Sequence, residues 1–263
     1  MATLIFSDIN DTIKPENGVA SRFSIDAIKQ LQAKGIELIL VTGKNRQKTE
    51  EFASDYGGSR YIITSNGGEV FDTTTREVIY SVPIAKIAIK RLYTIAQNNS
   101  LRFILNVDAD YRLTTRVKYF DGSEKELFNV DNALSEYKII GGVITDIPEA
   151  LVYEVKRQIF ETDGVVISNQ GNNKGNNFID FVSEYTNKGV AIRKLLKHLN
   201  ADFKDTISIG NERNDIPMFS ATNHSIVVSN ACKEIKSMVD EVIGGVEKDG
   251  VAKFFIKLVK KLP

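Results

Sequence analysis

The chain has 263 residues, 42% hydrophobic and 26% charged, which suits a soluble globular protein with one large domain or two smaller ones. Its 34 basic and 34 acidic side chains balance, so no net field favours nucleic acid or an anionic membrane. The single cysteine excludes an intrachain disulfide framework. No apolar run reaches the length of a bilayer or resembles a secretion signal, and we therefore expect a cytoplasmic protein.

The first third of the chain predicts alternating strands and helices. Strands are expected at residues 4–6, 36–41 and 61–64, with helices at 24–34 and 46–56 between them. This order implies parallel pairing with right-handed crossovers. Each strand is followed by small polar residues. In open α/β sheets ligands bind outside the carboxyl ends of the strands, so these residues are expected to share one edge.

The pattern changes after residue 82. We expect a helix at 84–97, strands at 101–107, 111–119 and 138–145, a helix at 148–161, and a hairpin of 164–168 with 178–182. Residues 121–137 give no clear assignment, and the Asn- and Gly-rich residues 169–177 predict the turn of the hairpin. Regular α/β order then resumes, with helices at 188–198, 215–221, 233–239 and 250–261 and strands at 206–210, 225–229 and 241–243.

Four short polar stretches carry the candidate chemistry: Asp-Ile-Asn-Asp-Thr at 8–12, Thr-Gly at 42–43, Lys-Gly at 188–189, and Gly-Asn-Glu-Arg-Asn-Asp at 210–215. Alone, each is typical of an ordinary turn or a solvated helix start. Together, in this order, they resemble the haloacid dehalogenase-like (HAD) phosphatases. Within that superfamily the chain is most similar to the Cof-like and sucrose-phosphatase-like sugar phosphatases, which carry a C2-type cap.

The resemblance implies an α/β fold with a Rossmann-like core, a parallel sheet flanked by helices, formed by residues 1–82 and 184–263. An α+β C2-type cap would be inserted at residues 83–183 and would close over the site. The implied activity is Mg²⁺-dependent hydrolysis of a small phosphomonoester, a sugar or polyol phosphate. The implied partner is therefore a small molecule, with no nucleic acid and no membrane. The oligomeric state stays open between a monomer and a weak dimer.

The resemblance also assigns roles to individual residues. Asp8 would be the nucleophile that forms an aspartyl-phosphate, with Asn10 at the acid/base position and Lys188 fixing the Asp8 carboxylate. The phosphate would be bound by Asp8, Thr42, Gly43, Lys188 and Asn214. The Mg²⁺ ligands would come from Asp8, Asn10 (through its carbonyl), Asn211 and Asp215. Asn66 and Gly67 would lie on the substrate side, and Asp108, Tyr111 and Asn172 are candidate substrate contacts from the cap.

Two asparagines depart from the family pattern. Asn10 stands where the family has an aspartate, and an amide has no proton to exchange, which predicts a loss of ~10²–10⁴-fold in rate. Asn211 keeps an oxygen ligand but lacks its charge. Asp11 replaces a glycine, and Asp tolerates an unusual backbone angle better than most residues. The changes fit a slowed enzyme, a silenced one, or a chain altered to trap a complex.

Two rival functions follow from these departures. One is a phosphate-ligand binding protein that keeps the cleft without turnover. The other is a phosphomutase on the same core, which would yield isomerised phosphosugar rather than free phosphate. A phosphate-release assay with and without Mg²⁺ separates hydrolysis from binding without turnover.

Overall fold

The computed structural model describes residues 4–16, 18–56, 58–109, 112–115, 124–127, 129–173 and 175–261. These residues form two β-sheets. The strands are β1 (Leu4–Ser7), β2 (Glu37–Val41), β3 (Tyr61–Thr64), β4 (Glu69–Asp72), β5 (Glu77–Ser81), β6 (Arg102–Val107), β7 (Arg112–Thr114), β8 (Glu124–Glu126), β9 (Ile139–Ile147), β10 (Val165–Asn173), β11 (Asn176–Ser183), β12 (Thr206–Gly210), β13 (His224–Val228) and β14 (Glu241–Ile243).

Helices cover the sheets and connect their strands. They are α1 (Arg22–Ala33), α2 (Arg46–Asp55), α3 (Lys86–Asn98), α4 (Val130–Glu136), α5 (Val152–Phe160), α6 (Lys188–Leu199), α7 (Ile216–Phe219), α8 (Lys233–Lys236) and α9 (Gly250–Val259). The α/β class and the flanking of the sheets by helices confirm the predicted fold class. Within the described part of the chain, no helix is both long and apolar enough to cross a membrane.

The first sheet has the order β14-β13-β12-β1-β2-β3-β4-β5. Strand β1 pairs in parallel with β2 and β12, and it is covered on both faces, which explains its uninterrupted apolar run. The parallel pairing expected for β1, β2 and β3 is confirmed. Beyond β3 the sheet continues with two strands that were not predicted, and β4 and β5 pair antiparallel as a hairpin. The sequence gives little sign of them because β4 follows β3 after a single short turn and carries charged residues at both ends.

Two apolar layers cover the first sheet. Helices α1 and α9 pack on one face, and α6 and α7 pack on the other. Helix α1 begins at Arg22, two residues before its predicted start at residue 24. Ser21 is the N-cap, and its hydroxyl accepts a hydrogen bond from the Ser24 N–H at 3.0 Å. Ser24 itself is buried in the first turn.

The second sheet has the order β10-β11-β9-β6-β7-β8 and is mainly antiparallel. One face is apolar and packs against α3, α4 and α5, with Phe103 stacked on Phe181 at 5.7 Å between ring centroids. The other face carries polar side chains. In the described residues, all six strands lie between residues 102 and 183, inside the predicted insertion. The division at residues 82 and 183 stays a prediction.

The hairpin of β10 and β11 corrects a sequence prediction. The strands continue through residues 169–173 and 176–177, where a long turn was expected, and Asn173 pairs with Asn176. The Asn172 amide donates to the Asn177 side-chain oxygen across the strands at 2.9 Å. Asparagine-rich strands beyond the apolar core leave no alternation of apolar residues to detect.

Other boundaries differ by small amounts. The helix expected at 148–161 is a 3₁₀ turn, Glu149–Leu151, followed by α5, and the helix expected at 233–239 ends at Lys236. The unassigned stretch 121–137 contains β8 and α4. Of the strand expected at 111–119, the structure describes Arg112–Thr114 as β7, while residues 111 and 116–119 lie outside the described residues. The remaining predicted elements agree within two residues at each end.

The stacked pair of phenylalanines gives a stability prediction. Phe103→Ala is expected to lower the free energy of unfolding by about 3–5 kcal/mol, because the ring is fully buried and its loss leaves a cavity. Urea unfolding measures the change. Phe160→Ala is the matched control, since that ring is 86% exposed. Equal effects of the two substitutions would contradict the packing described here.

Candidate active site

The predicted site residues follow the carboxyl ends of neighbouring strands. Asp8 comes after β1, Thr42 after β2 and Asn211 after β12, while Asn66 lies in the short turn after β3. Because β1, β2, β3 and β12 run parallel in one sheet, their carboxyl ends meet at the same edge. The strand order therefore brings together residues separated by as many as 203 positions.

A buried lysine joins two carboxylates at this edge. The Lys188 ammonium donates to Asp8 Oδ1 at 2.8 Å and to Asp215 Oδ1 at 2.6 Å. Lys188 is only 1% exposed and Asp215 is fully buried. Lys188 is the first residue of α6, whose N-cap Asn187 accepts from the Val190 N–H at 3.0 Å. The cap fixes the start of the helix and hence the position of the lysine.

Asp215 organises the loop that precedes it. Its second oxygen, Oδ2, accepts the backbone N–H groups of Asn211 at 2.9 Å and Glu212 at 3.0 Å. A side chain at Gly210 would clash with it, since a Cβ there would lie 2.5 Å from Asp215 Oδ2. Both oxygens of Asp215 are thus engaged by protein donors.

Burial controls the charges of this cluster. Burial raises the pKa of Asp8 to about 7, an effect that the nearby Lys188 ammonium only partly offsets. Burial alone would lower the pKa of Lys188, but the Asp215 and Asp8 carboxylates raise it above its ordinary value. The lysine is therefore a permanent cation, while the protonation of Asp8 is sensitive to pH near neutrality.

Thr12 links Asp8 to Asn211. Its hydroxyl lies 3.3 Å from Asp8 Oδ2 and 3.0 Å from Asn211 Oδ1, so these two oxygens converge on one point. Carboxylate and amide oxygens suit a hard divalent cation such as Mg²⁺. The described residues contain no cluster of three or more Asp, Glu, His or Cys side chains that could hold a metal ion. A cation here would rely on one carboxylate, on neutral oxygens and on the ligand.

Asn10 and Asp11 complete the first turn. Asn10 lines the cavity described below and is partly exposed. Asp11 has the positive φ of 52° that a glycine at this position adopts easily. Its carboxylate accepts the Glu16 N–H at 2.8 Å. The side chain of Asp11 is thereby held within its own loop.

Asn66 connects the two sheets. Its amide nitrogen donates to Ser168 Oγ of β10 at 3.1 Å, and its oxygen accepts from the Asn214 amide at 3.1 Å. A Cβ at Gly43 would lie 3.0 Å from this amide, so the glycine allows Asn66 to pack against the loop after β2. The structure thus brings Gly43, Asn66 and Asn214 together.

Gly67 has a different setting. Its φ is 97°, and a Cβ there would lie 2.3 Å from the Asn187 carbonyl oxygen. Its own carbonyl accepts the Thr186 hydroxyl at 2.8 Å. Gly67 therefore packs against the start of α6, and its predicted place on the substrate side stays a prediction.

A cavity of about 720 Å³ separates this edge from the polar face of the second sheet. Its lining includes Asp8, Asn10, Thr42, Gly43, Asn66 and Asn214 from the first sheet's side, and Arg102, Asn106, Arg112 and Asp180 from the second sheet. Asp180 was not among the residues predicted from the sequence. The alternation Phe-Ile-Asp-Phe-Val at 178–182 could have placed it on the face opposite Ile179 and Phe181.

The residues predicted to contact the substrate from the cap differ in their positions and hydrogen bonds. The carboxylate of Asp108 accepts the Lys138 N–H at 2.9 Å at the end of the sheet. Asn172 lines the cavity, but its side chain also holds the hairpin turn through the Gly175 N–H at 2.8 Å. Tyr111 lies outside the described residues.

Comparison with known proteins gives a consistent result. A family model described as haloacid dehalogenase-like hydrolase matches residues 5–255. The chain is 24% identical to Phosphatase YwpJ of Bacillus subtilis (strain 168), over 95% of this chain and 97% of the relative. Its fold is similar to that of a haloacid dehalogenase-like hydrolase from Bacteroides thetaiotaomicron, with a TM-score of 0.82, 19% identity and coverage of 98% and 100%. It is also similar to the HAD subclass IIB sugar phosphatase BT4131, with a TM-score of 0.79, 20% identity and coverage of 98% and 99%.

The raised pKa of Asp8 predicts a pH dependence of stability. A folded pKa above the unfolded value means that Asp8 favours folding below about pH 4 and that this contribution is lost as pH rises through about 7. In metal-free buffer, Asp8→Asn should therefore gain stability relative to the native chain over this range, by at most about 1.4 kcal/mol per pH unit.

Urea unfolding of both chains at several pH values measures this difference. Asp55→Asn, at an exposed carboxylate on α2, is the control and should track the native chain. A constant difference between Asp8→Asn and the native chain from about pH 4 to about pH 8 would refute the assignment.

Proposed function

The chain belongs to the haloacid dehalogenase-like hydrolase family, and we propose that it hydrolyses a small phosphomonoester, a sugar or polyol phosphate, through an aspartyl-phosphate on Asp8. The observation that carries the proposal is the Asp8 carboxylate, held by the buried Lys188 ammonium at 2.8 Å and facing a cavity. The phosphatase and sugar phosphatase names of the similar proteins support the reaction and the substrate class.

Asp8 acts as the nucleophile. One carboxylate oxygen attacks phosphorus, an O–P bond forms, and the bond from phosphorus to the leaving-group oxygen breaks. Water then cleaves the aspartyl-phosphate and releases inorganic phosphate. Ionisation of Asp8 is required for attack, and its pKa of about 7 places that ionisation in the neutral range.

Lys188 and neighbouring polar groups stabilise the transferring phosphoryl group. The buried ammonium is fixed by Asp215, so it needs no reorganisation when charge moves onto the phosphoryl oxygens. Thr42, the Gly43 backbone and the Asn214 amide lie around the same part of the cavity and complete the binding of phosphate oxygens. Asp215 holds Lys188 through one oxygen and the loop N–H groups of Asn211 and Glu212 through the other, and its role as a Mg²⁺ ligand stays a prediction.

Asp8, Asn211 and the carbonyl of Asn10 would hold Mg²⁺. When bound, the ion neutralises the repulsion between the nucleophile and the phosphate. Asn211 contributes an oxygen without charge, so Mg²⁺ affinity should depend strongly on the phosphate of the substrate. Mg²⁺ commonly binds in this way, through one or two carboxylates and substrate phosphates.

Asn10 limits the rate. Its amide cannot protonate the leaving alkoxide or deprotonate the attacking water. We place residues 83–183 as the cap that covers the reacting groups and excludes bulk water from them. The attack of Asp8 on phosphorus needs the carboxylate and charge neutralisation, and the residues for both are present. The proton transfers lack their acid/base residue.

A non-catalytic phosphate-binding protein is the second candidate. The two amides at positions 10 and 211 favour it, because they remove proton transfer and metal charge but leave Lys188 and the cavity intact. Retained binding of a phosphosugar with no phosphate release would support it. Isomerised phosphosugar without free phosphate would instead indicate the phosphomutase.

The rate-limiting role of Asn10 gives a direct prediction. Asn10→Asp should raise phosphate release from sugar phosphates by about 10²-fold or more, because it restores an exchangeable proton at this position. Colorimetric phosphate detection over a panel of sugar phosphates, with Mg²⁺ and with EDTA, measures the rate.

Asp8→Asn in the same background is the control and should abolish the release. EDTA should abolish it as well. A rate left unchanged by Asn10→Asp would show that position 10 has no part in proton transfer. Release that survives Asp8→Asn would refute the covalent mechanism.

A further inference from the structure

The wall of the cavity opposite the nucleophile contains a carboxylate that the mechanism above does not use. Asp180 lies in the middle of β11 and pairs with Val143 of β9. Its sequence neighbours Ile179 and Phe181 point to the apolar core of the second sheet, so Asp180 points the opposite way, into the cavity. Among the described residues of this sheet, Asp180 and Asp146 are the carboxylates that line the cavity, and Asp146 is the more exposed of the two.

Asp180 lies close to the place of the phosphoryl group. Across the strands it pairs with Asn169, the neighbour of Ser168, whose hydroxyl accepts the Asn66 amide at 3.1 Å. Asn66 in turn packs on Gly43 and accepts from Asn214, two residues of the proposed phosphate site. A substrate whose phosphate lies between Asp8 and Gly43 would extend its leaving group into the cavity whose wall includes Asp180.

The charged side chains near Asp180 are of both signs, so this part of the cavity does not favour an anion. Lys44 and Arg112 lie near enough to stabilise the charged carboxylate, while Glu212 opposes them. Lys44 is itself paired with Glu16 at 3.3 Å. Burial, which these two cations only partly offset, raises the pKa of Asp180 to about 7. A second anion placed beside the ionised carboxylate would be repelled by it.

A hydroxyl group has the complementary chemistry. An ionised carboxylate can only accept hydrogen bonds, and a substrate hydroxyl donates one while keeping lone pairs for nearby cationic donors. A carboxylate on the leaving group has no hydrogen to donate and adds a like charge. Specificity of this kind comes from repulsion of the wrong ligand as much as from attraction of the right one.

Building on the proposed function, we propose that Asp180 is a specificity-determining residue, which selects phosphomonoesters with a hydroxyl-bearing leaving group and rejects those with a carboxylate at the same place. It contacts the part of the substrate beyond the bridging oxygen and takes no part in proton transfer or in the attack on phosphorus.

A matched pair of substrates tests the inference. Glycerol 3-phosphate and 3-phosphoglycerate differ by a hydroxymethyl group in place of a carboxylate. In the Asn10→Asp background, Asp180→Asn should lower kcat/KM for glycerol 3-phosphate about tenfold and raise it several-fold for 3-phosphoglycerate. Hydrolysis of p-nitrophenyl phosphate, which has neither group, should stay unchanged.

Two controls separate the effect from loss of structure. Asp163→Asn makes the same chemical change at an exposed carboxylate between α5 and β10, outside the lining of the cavity, and should leave both substrates unaffected. Asp180→Ser removes the charge but keeps a hydroxyl, and it should relax the discrimination in the same direction. An unchanged ratio of the two kcat/KM values in both Asp180 variants would overturn the inference.

Calorimetric binding of the same two ligands keeps the test independent of turnover. If no substrate releases phosphate, the proposed function fails, and the ratio of the two dissociation constants decides the role of Asp180 alone. A shift of that ratio toward 3-phosphoglycerate in Asp180→Asn supports the inference, and a constant ratio overturns it. If p-nitrophenyl phosphate is hydrolysed and the ratio does not change, only the inference fails.

Discussion

The structure depends on one buried cation held between two carboxylates. Lys188 bonds to Asp8 across 180 positions of sequence and to Asp215 across 27. Charges buried to this degree are stabilising only when every partner is in place, and loss of one partner leaves an uncompensated charge in the interior. The cluster therefore demands that β1, α6 and the loop after β12 be positioned together. The parallel order of β12, β1 and β2 meets this demand.

Burial of Asp8 in this cluster lowers the stability of the folded chain at neutral pH while it serves the proposed reaction. The pKa of Asp8 is raised to about 7, so the ionised nucleophile is an unfavourable group in the folded chain at neutral pH. A well-solvated carboxylate would stabilise the fold better but would face phosphate with its charge dispersed by water. Sites that hold a reactive group in an unfavourable environment commonly carry this conflict. The surrounding apolar layers on both faces of the first sheet supply the compensating stability.

Local sequence predicted the parts of the molecule that local chemistry determines. Buried strands such as β3 and β12 were found at their observed bounds, because they are short apolar runs bounded by polar residues. The hairpin of β4 and β5 and the long asparagine-rich strands were missed, because their pairing partners rather than their own side chains make them strands. Within the site, motif order predicted the neighbourhood of Asp8 and Lys188. The link through Thr12 and the inward position of Asp180 depend on three-dimensional register.

The amides of Asn10 and Asn211 affect substrate binding and turnover in opposite directions. With asparagine at positions 10 and 211, Asp8, Lys188 and Asp215 leave the cluster with one net negative charge, whereas aspartates at both positions would leave three. Fewer negative charges mean less repulsion of a phosphate and a smaller need for a bridging cation. The amide at position 10 also removes the proton transfer that each half-reaction uses. The chain should therefore bind phosphate esters better than its catalytic rate suggests, and affinity for the substrate is a poor measure of its activity.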